Sequence, residues 1–146
     1  MQIRPATPHD LQAVYPLLCA LANATLSEAA FAETYAHNLA QPMIRYLVAE
    51  EDGVVRGFAS LHMERLLHHA ALVGEIQELI VEPELRSRGI GAELLRAVCA
   101  EAGAAGCVHL ELSSGFARTR AHAFYERHGW AKDHYSFTYK RLQEDA

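Results

Sequence analysis

The apolar period of this chain changes twice along its length, and those two changes limit what it can fold into. Leu11, Val14, Leu17, Leu18 and Leu21 recur at helical spacing. Thr7-Pro8-His9-Asp10 supplies the helix start, with Thr7 as cap and Pro8 at the first helical position, which tolerates a missing N–H. A second helix is expected over about 28–39, stopped before Pro42. The pattern then turns strand-like over 46–50 and 54–62, and Glu51-Asp52-Gly53 between them is a hairpin turn signal. A further strand over 73–81 ends at Pro83. The helical period returns over 89–105, with Leu94, Leu95 and Val98 on one face. Residues 108–113 read as a strand, 118–127 as a helix closed by Gly129, and 134–139 as a last strand; 1–6 is the first. The order β-α-α-β-β-β-α-β-α-β predicts an α/β fold, a mixed sheet with helices on both faces. With 146 residues and no internal repeat or linker, one domain over 1–146 is expected.

Charge and composition narrow the partners. A chain that is 51% hydrophobic and 21% charged can bury a core. Its formal charge of -5 comes without a dense Lys/Arg block, so neither nucleic acid nor an anionic membrane is an expected partner. No apolar run approaches the roughly 18 residues of a membrane span. The first ten residues carry Arg4 and Pro5 but no apolar leader, so the cytoplasm is the expected location. Cys19, Cys99 and Cys107 are too few and too scattered for a disulfide framework. Cys99 and Cys107 fall in stretches read as buried, where apolar surroundings raise a thiol's pKa, so they are expected to fill the core. Nine histidines invite a metal reading, but His62 and His68-His69 match no strong zinc spacing, and no metal site is expected.

The most informative stretch is Arg86-Ser87-Arg88-Gly89-Ile90-Gly91-Ala92, between a strand and a long helix. Gly89 and Gly91 lack a Cβ, so main-chain N–H groups can come close to a bulky anion. The following helix adds its unpaired N–H groups and the positive end of its dipole. That combination suits a pyrophosphate. An ordinary glycine-containing turn is the plainer alternative. The Lys-Ser/Thr ending of a Walker loop is absent, and two glycines do not make a dinucleotide-binding fingerprint.

On Arg86, Gly89 and Gly91, and on Ala121, Phe124, Tyr125, Gly129 and Trp130 downstream, the chain resembles the GNAT family of N-acetyltransferases. The resemblance implies a GNAT-like fold, acetyl-CoA as cosubstrate, and the CoA pyrophosphate on Arg86–Ala92. It also implies that the strand Leu79-Ile80-Val81 hydrogen-bonds the pantetheine arm and that an N–H near Leu79 or Ile80 is the oxyanion donor. Acetyl transfer to an amine requires a base for the ammonium proton, polarisation of the thioester oxygen and an acid for the leaving thiolate. Glu75 and Glu78 are candidate bases. Three residues apart, they fall on opposite faces of a strict strand, unless the bulge that the resemblance implies reorients them. Exposed strand charges are the alternative for one of them. Tyr125 falls where the family places its general acid, with a core aromatic as the alternative.

Ser60-Leu61-His62, Leu67-His68-His69, the run Gly74-Glu75-Ile76-Gln77-Glu78-Leu79-Ile80-Val81, Glu111-Leu112-Ser113 and Ala121-His122-Ala123-Phe124-Tyr125 are similar to the bacterial aminoalkylphosphonate N-acetyltransferases within that family. This implies a small primary amine bearing a phosphonate as acceptor, direct transfer in a ternary complex, and a possible divalent-metal dependence. Ser114-Gly115 and Phe137-Thr138-Tyr139-Lys140 depart from the pattern and bear on the acceptor side. A phosphonate needs cations or N–H donors; of the residues available, Arg45, His68 and Arg118 are favoured as acceptor-binding. Two other readings stay open. One is the same transfer to an aminoglycoside, a polyamine or a protein N-terminus; the other is a CoA-binding module without catalysis. A homodimer is a further open alternative.

Overall fold

The computed structural model describes residues 1–86, 88–140 and 142. Its elements are β1 (Gln2–Pro5), α1 (Leu11–Ala22), α2 (Glu28–Leu39), β2 (Ile44–Glu51), β3 (Val54–Leu66), β4 (Ala71–Val81), α3 (Ile90–Ala105), β5 (Leu110–Leu112) and α4 (Thr119–Arg127). The strands form one sheet in the order β1-β2-β3-β4-β5, antiparallel up to β4 and parallel between β4 and β5. This is the expected α/β architecture. Two compact units make up the chain, Met1–Leu112 and Ser113–Ala146. No helix among the described residues is long and apolar enough to cross a membrane.

In the first unit, adjacent residues of β3 point to opposite faces and so meet different helices. Phe58 joins Val14, Leu17, Leu18 and Tyr35 in the core under α1 and α2, together with Val48 and Ile80 from the neighbouring strands. Gly57 faces α3. A Cβ placed on it would come within 2.9 Å of Leu94 Cδ1 and 3.2 Å of the Ile80 carbonyl oxygen, so the missing side chain is what lets α3 lie close to the sheet. The β2–β3 hairpin turns through Asp52 and Gly53, both with positive φ (52° and 77°), as tight hairpins require. β3 and β4 run further than expected, because their ladder continues from Glu64↔Val73 to Leu66↔Ala71 through residues without a clear apolar alternation.

The start of α1 is held from two sides. Thr7 caps a single 3-10 turn, accepting from the His9 N–H at 3.2 Å, while Asp10 accepts from the Thr7 N–H at 2.8 Å. Arg4 of β1 grips Asp10 with two bonds of 2.9 Å and reaches Glu50 of β2 at 2.6 Å. Arg4 therefore ties the first strand, the second strand and the first helix at one buried carboxylate.

In the second unit, α4 closes with Gly129 at φ 90°, where the Gly129 and Trp130 N–H groups donate to Glu126 and Tyr125 carbonyls, both at 3.1 Å. The strand expected over 134–139 is not formed: residues 131–140 hold neither helix nor strand. Tyr135, Phe137 and Tyr139 alternate as strand residues do, but they are 78%, 94% and 71% exposed. Alternation marks a face and does not supply a ladder partner. A second correction concerns Cys99, which is exposed on α3 rather than core-filling; partial burial still pushes its thiol up.

The Arg4 clamp predicts how stability responds to acid. The hydrogen bonds from Arg4 hold the Asp10 carboxyl down at about 2, against an ordinary 3.8. The stabilisation is thus complete above the unfolded value and lost as the pH falls from about 4 to about 2. Asp10→Asn should cost about 2 kcal/mol at neutral pH and flatten that acid limb. Urea unfolding of both proteins across this range measures it.

Candidate active site

One extra residue sets the geometry of the central strand pair. Ser60 pairs with Glu78 and Leu61 with Ile76, so Gln77 bulges out of β4. Glu75 pairs with His62, two residues from Ser60 on β3, so the bulge brings Glu75 and Glu78 to the same face of the sheet despite their odd spacing. That face is the one bearing Phe58 and packed by α1 and α2. The Ser60 hydroxyl, fully buried, donates to the Glu78 carboxylate and accepts from the Glu78 N–H at 3.0 Å. Glu75 accepts instead from the exposed Gln77 amide at 2.7 Å.

The two carboxylates differ in what they face. Glu78, with His62 and Gln77, lines a cavity of about 520 Å³ walled by α1, α2 and the sheet. Asn38, Tyr46, Tyr35 and Phe31 also line it, and among the described residues neither Arg nor Lys does. Glu75 is not among the lining residues. An aromatic column stiffens the wall: Tyr15, Phe31, Tyr35, Tyr46 and Phe58 follow one another at centroid distances of 5.2, 6.2, 5.5 and 5.1 Å. Burial pushes the Tyr46 phenol up, opposed by a 2.7 Å bond from the Asn38 amide and reinforced by the charge of Glu78. Burial likewise raises Tyr35, whose hydroxyl donates to the Thr7 carbonyl at 2.7 Å. Such a site can hold an ammonium group against a fixed carboxylate and take up its proton.

The other edge of β4 is only partly paired where the residues expected to hold the cofactor lie. β5 pairs with β4 only over Gly74–Ile76, and no strand among the described residues covers the same edge from Gln77 to Val81. Main-chain groups of Leu79, Ile80 and Val81 are therefore on the half-open stretch, while the Ile80 and Val81 side chains are buried. An amide-bearing chain can pair there as an added strand would. Past a 3-10 turn at Pro83–Leu85, Gly89 caps α3 at φ 84°, with open space where a Cβ would stand. Ile90 is buried and offers only its N–H, whereas Gly91 and Ala92 are partly exposed. Arg86 and Arg88 are exposed, and Arg88 lies 3.2 Å from Glu51 of the β2–β3 hairpin. Ser87, expected in the same loop, lies outside the described residues.

Tyr125 sits on α4 of the second unit, partly buried, with Phe124 and Trp130 rings at 5.4 and 6.1 Å. Burial pushes its phenol up and Arg118, at the start of the helix, pulls it partly back. A phenol so placed stays protonated at neutral pH and can donate. Of the expected acceptor cations in the first unit, neither Arg45 nor His68 is among the residues lining the cavity. Arg45 projects to the α3 face, beside Leu61, and pairs with Glu101 at 3.5 Å; His68 is exposed in the β3–β4 turn with its ring 4.2 Å from that of His69. Sequence reasoning gave no role to Ser60, His62, Asn38 or Tyr46. Only cross-strand pairing reveals them, since nothing in the chain order links Ser60 to Glu78.

Comparison with known proteins fixes the class. A family model described as the acetyltransferase (GNAT) family matches residues 11–130. The chain belongs to this GNAT family: it is an N-acetyltransferase, and it uses acetyl-CoA. It is similar to an aminoalkylphosphonate N-acetyltransferase of Salmonella typhimurium, 43% identical over 137 residues that cover 94% of this chain and 89% of the relative. Among solved structures, an aminoglycoside N-acetyltransferase in complex with CoA superposes with a TM-score of 0.87 at 19% identity, over 97% of this chain and 94% of that one. A glucosamine-6-phosphate N-acetyltransferase from Arabidopsis thaliana gives 0.81 at 18% identity, over 95% and 96%. At those identities the two structures show a common fold.

The left-handed conformation of Gly89 generates a direct expectation. Gly89→Val should strain the loop by about 1–3 kcal/mol and lower CoA affinity at least about tenfold, read by calorimetric titration. An unchanged dissociation constant would detach this loop from the cofactor.

Proposed function

We propose that this chain transfers the acetyl group of acetyl-CoA directly, in a ternary complex, to the primary amine of a small aminoalkylphosphonate. The observation that carries the reading is Glu78: its carboxylate is fixed by Ser60 at the bulge and faces a cavity that no Arg or Lys lines among the described residues. An ammonium group is the complementary guest. The amine gives its proton to Glu78, directly or through water, and its lone pair attacks the thioester carbon. The C–S bond then breaks, the thiolate takes a proton from Tyr125, and the second proton shed by the new amide nitrogen passes through water and restores the phenol. Glu75, outside the cavity lining, is the weaker base candidate. The similarity to the Salmonella enzyme named for aminoalkylphosphonates supports the acceptor class.

For the cofactor we assign the main chain of Leu79, Ile80 and Val81 to the pantetheine arm, one of their N–H groups to the developing oxyanion, and Arg86, Ser87, Arg88, Gly89, Ile90, Gly91 and Ala92 to the pyrophosphate. The open edge of β4 and the glycine-capped start of α3 support this. His68 and Arg118 are the cations assigned to the phosphonate, on charge alone.

The test is a thiol-release assay over an amine panel. A short aminoalkylphosphonate should give a kcat/KM at least about tenfold above any aminoglycoside, polyamine or peptide amine, a margin of about 1.4 kcal/mol. Preference for a polycation would overturn the acceptor. Acetyl-CoA binding with no turnover of any amine would favour the non-catalytic module. Glu78→Gln should lower kcat by about 100-fold or more, the usual scale for losing a general base, and Glu75→Gln by much less. Tyr125→Phe should lower kcat on a similar scale while leaving the acetyl-CoA dissociation constant unchanged.

A further inference from the structure

We infer that His69, His109 and Glu111 bind one divalent transition-metal ion at the β5 edge of the sheet. Each offers one donor atom, and the three lie within 4.8 Å of one another. Their positions in the chain hide this, because His69 belongs to the β3–β4 turn and the other two to the start of β5, some 40 residues later.

The fold fixes two of the three ligands. Glu111 lies in β5 and His109 directly precedes its first residue, with His109 Nε2 already 3.6 Å from Glu111 Oε1. Their backbone is pinned to β4: the Gly74 N–H donates to the His109 carbonyl at 3.1 Å and the Val108 N–H to the Leu72 carbonyl at 2.9 Å. The third ligand comes from a tight turn in which the His69 N–H donates to the Leu66 carbonyl at 3.1 Å and Ala70 adopts φ 51°, unusual for a residue with a side chain. The His69 ring consequently meets that of His109 edge-on at 4.5 Å.

Two imidazoles and a carboxylate are the donor set of zinc and its first-row neighbours, not of calcium or magnesium. Bonds of about 2.0–2.1 Å place tetrahedral donors roughly 3.3 Å apart, so side-chain rotations shifting the donors by about 1 Å close the site. The carboxylate decides against an anion, which Glu111 would repel. Ring packing of the imidazoles and the His109–Glu111 ion pair each account for one contact, whereas one bound ion accounts for the convergence of all three donors. With three protein ligands, at least one coordination position stays open to water or a substrate oxygen.

The site is tested on untagged, chelator-stripped full chain by calorimetric titration with Zn²⁺, and with Co²⁺ for its ligand-field absorption. One ion per chain is expected, with a dissociation constant of about 1 µM or tighter. His109→Ala and Glu111→Gln should each weaken binding at least about tenfold, the lower end of what losing even an outer partner does, and abolish the Co²⁺ signal. His37→Ala, on α2, should bind as the parent does. Metal-free melting temperatures equal to the parent's would show that the variants fold; should His109→Ala fail to fold, Glu111→Gln, at a partly exposed carboxylate, decides alone. No saturable binding by the parent, or parent-like affinity in the folded variants, would overturn the site.

Discussion

The extra residue at Gln77 is the constraint on which the candidate chemistry turns. Without it, Glu75 and Glu78 would lie on opposite faces of β4 and one would point toward α3. With it, both share the α1/α2 face, and Ser60 on the neighbouring strand gains two bonds to the Glu78 residue, one to its carboxylate and one from its N–H. The bulge also marks where β5 stops pairing with β4, since the parallel ladder ends at Ile76. A single insertion thus separates two kinds of surface. On one face it fixes a carboxylate against a cavity; along the edge it leaves main-chain groups available to a chain-like ligand.

Placement of the candidate cofactor loop depends on a different small residue. Gly57 has no Cβ, and Leu94 and Ile90 of α3 occupy the space above it. The depth at which α3 docks sets where its first N–H groups lie relative to the end of β4. Gly89 then supplies the positive φ that turns the chain from the 3-10 segment into the helix. The geometry suited to an anion comes from two glycines with different tasks, one in packing and one in backbone conformation.

Much of this was legible in the order of residues. Periodicity located all the helices found and most strands, since a buried face imposes its period on the side chains. The Arg86–Ala92 loop was legible because a glycine at a left-handed position and a helix start leave local marks. The last strand was not: Tyr135, Phe137 and Tyr139 alternate, yet ladder formation is decided by a neighbour that the segment itself cannot specify. Nor could chain order separate Glu75 from Glu78, because their difference lies in Ser60, Gln77 and the cavity, all matters of cross-strand register. The His69–His109–Glu111 cluster was invisible for the same reason, its members lying on either side of β4 and α3 in sequence. Arg45 shows the converse error, a charge chosen for its sign when its strand position turns it to the face of Glu101.

The charge of the cavity bears on how an aminoalkylphosphonate would be told from other amines. Among the described residues its wall contains Glu78 and no Arg or Lys, so it complements the ammonium end of any small amine and rewards no anion. Discrimination must then come from groups beyond that wall. It cannot come from net charge, because a chain at -5 attracts polycations at long range and disfavours a phosphonate. A polyamine or aminoglycoside would satisfy Glu78 as well as a phosphonate does, and would gain from the overall field besides. Selectivity for a phosphonate therefore requires local cations strong enough to reverse that bias, from basic side chains or from a bound metal ion with an open coordination position. On the proposed reading, acceptor preference would then be set at the rim, and capture of the amine by the wall that holds Glu78.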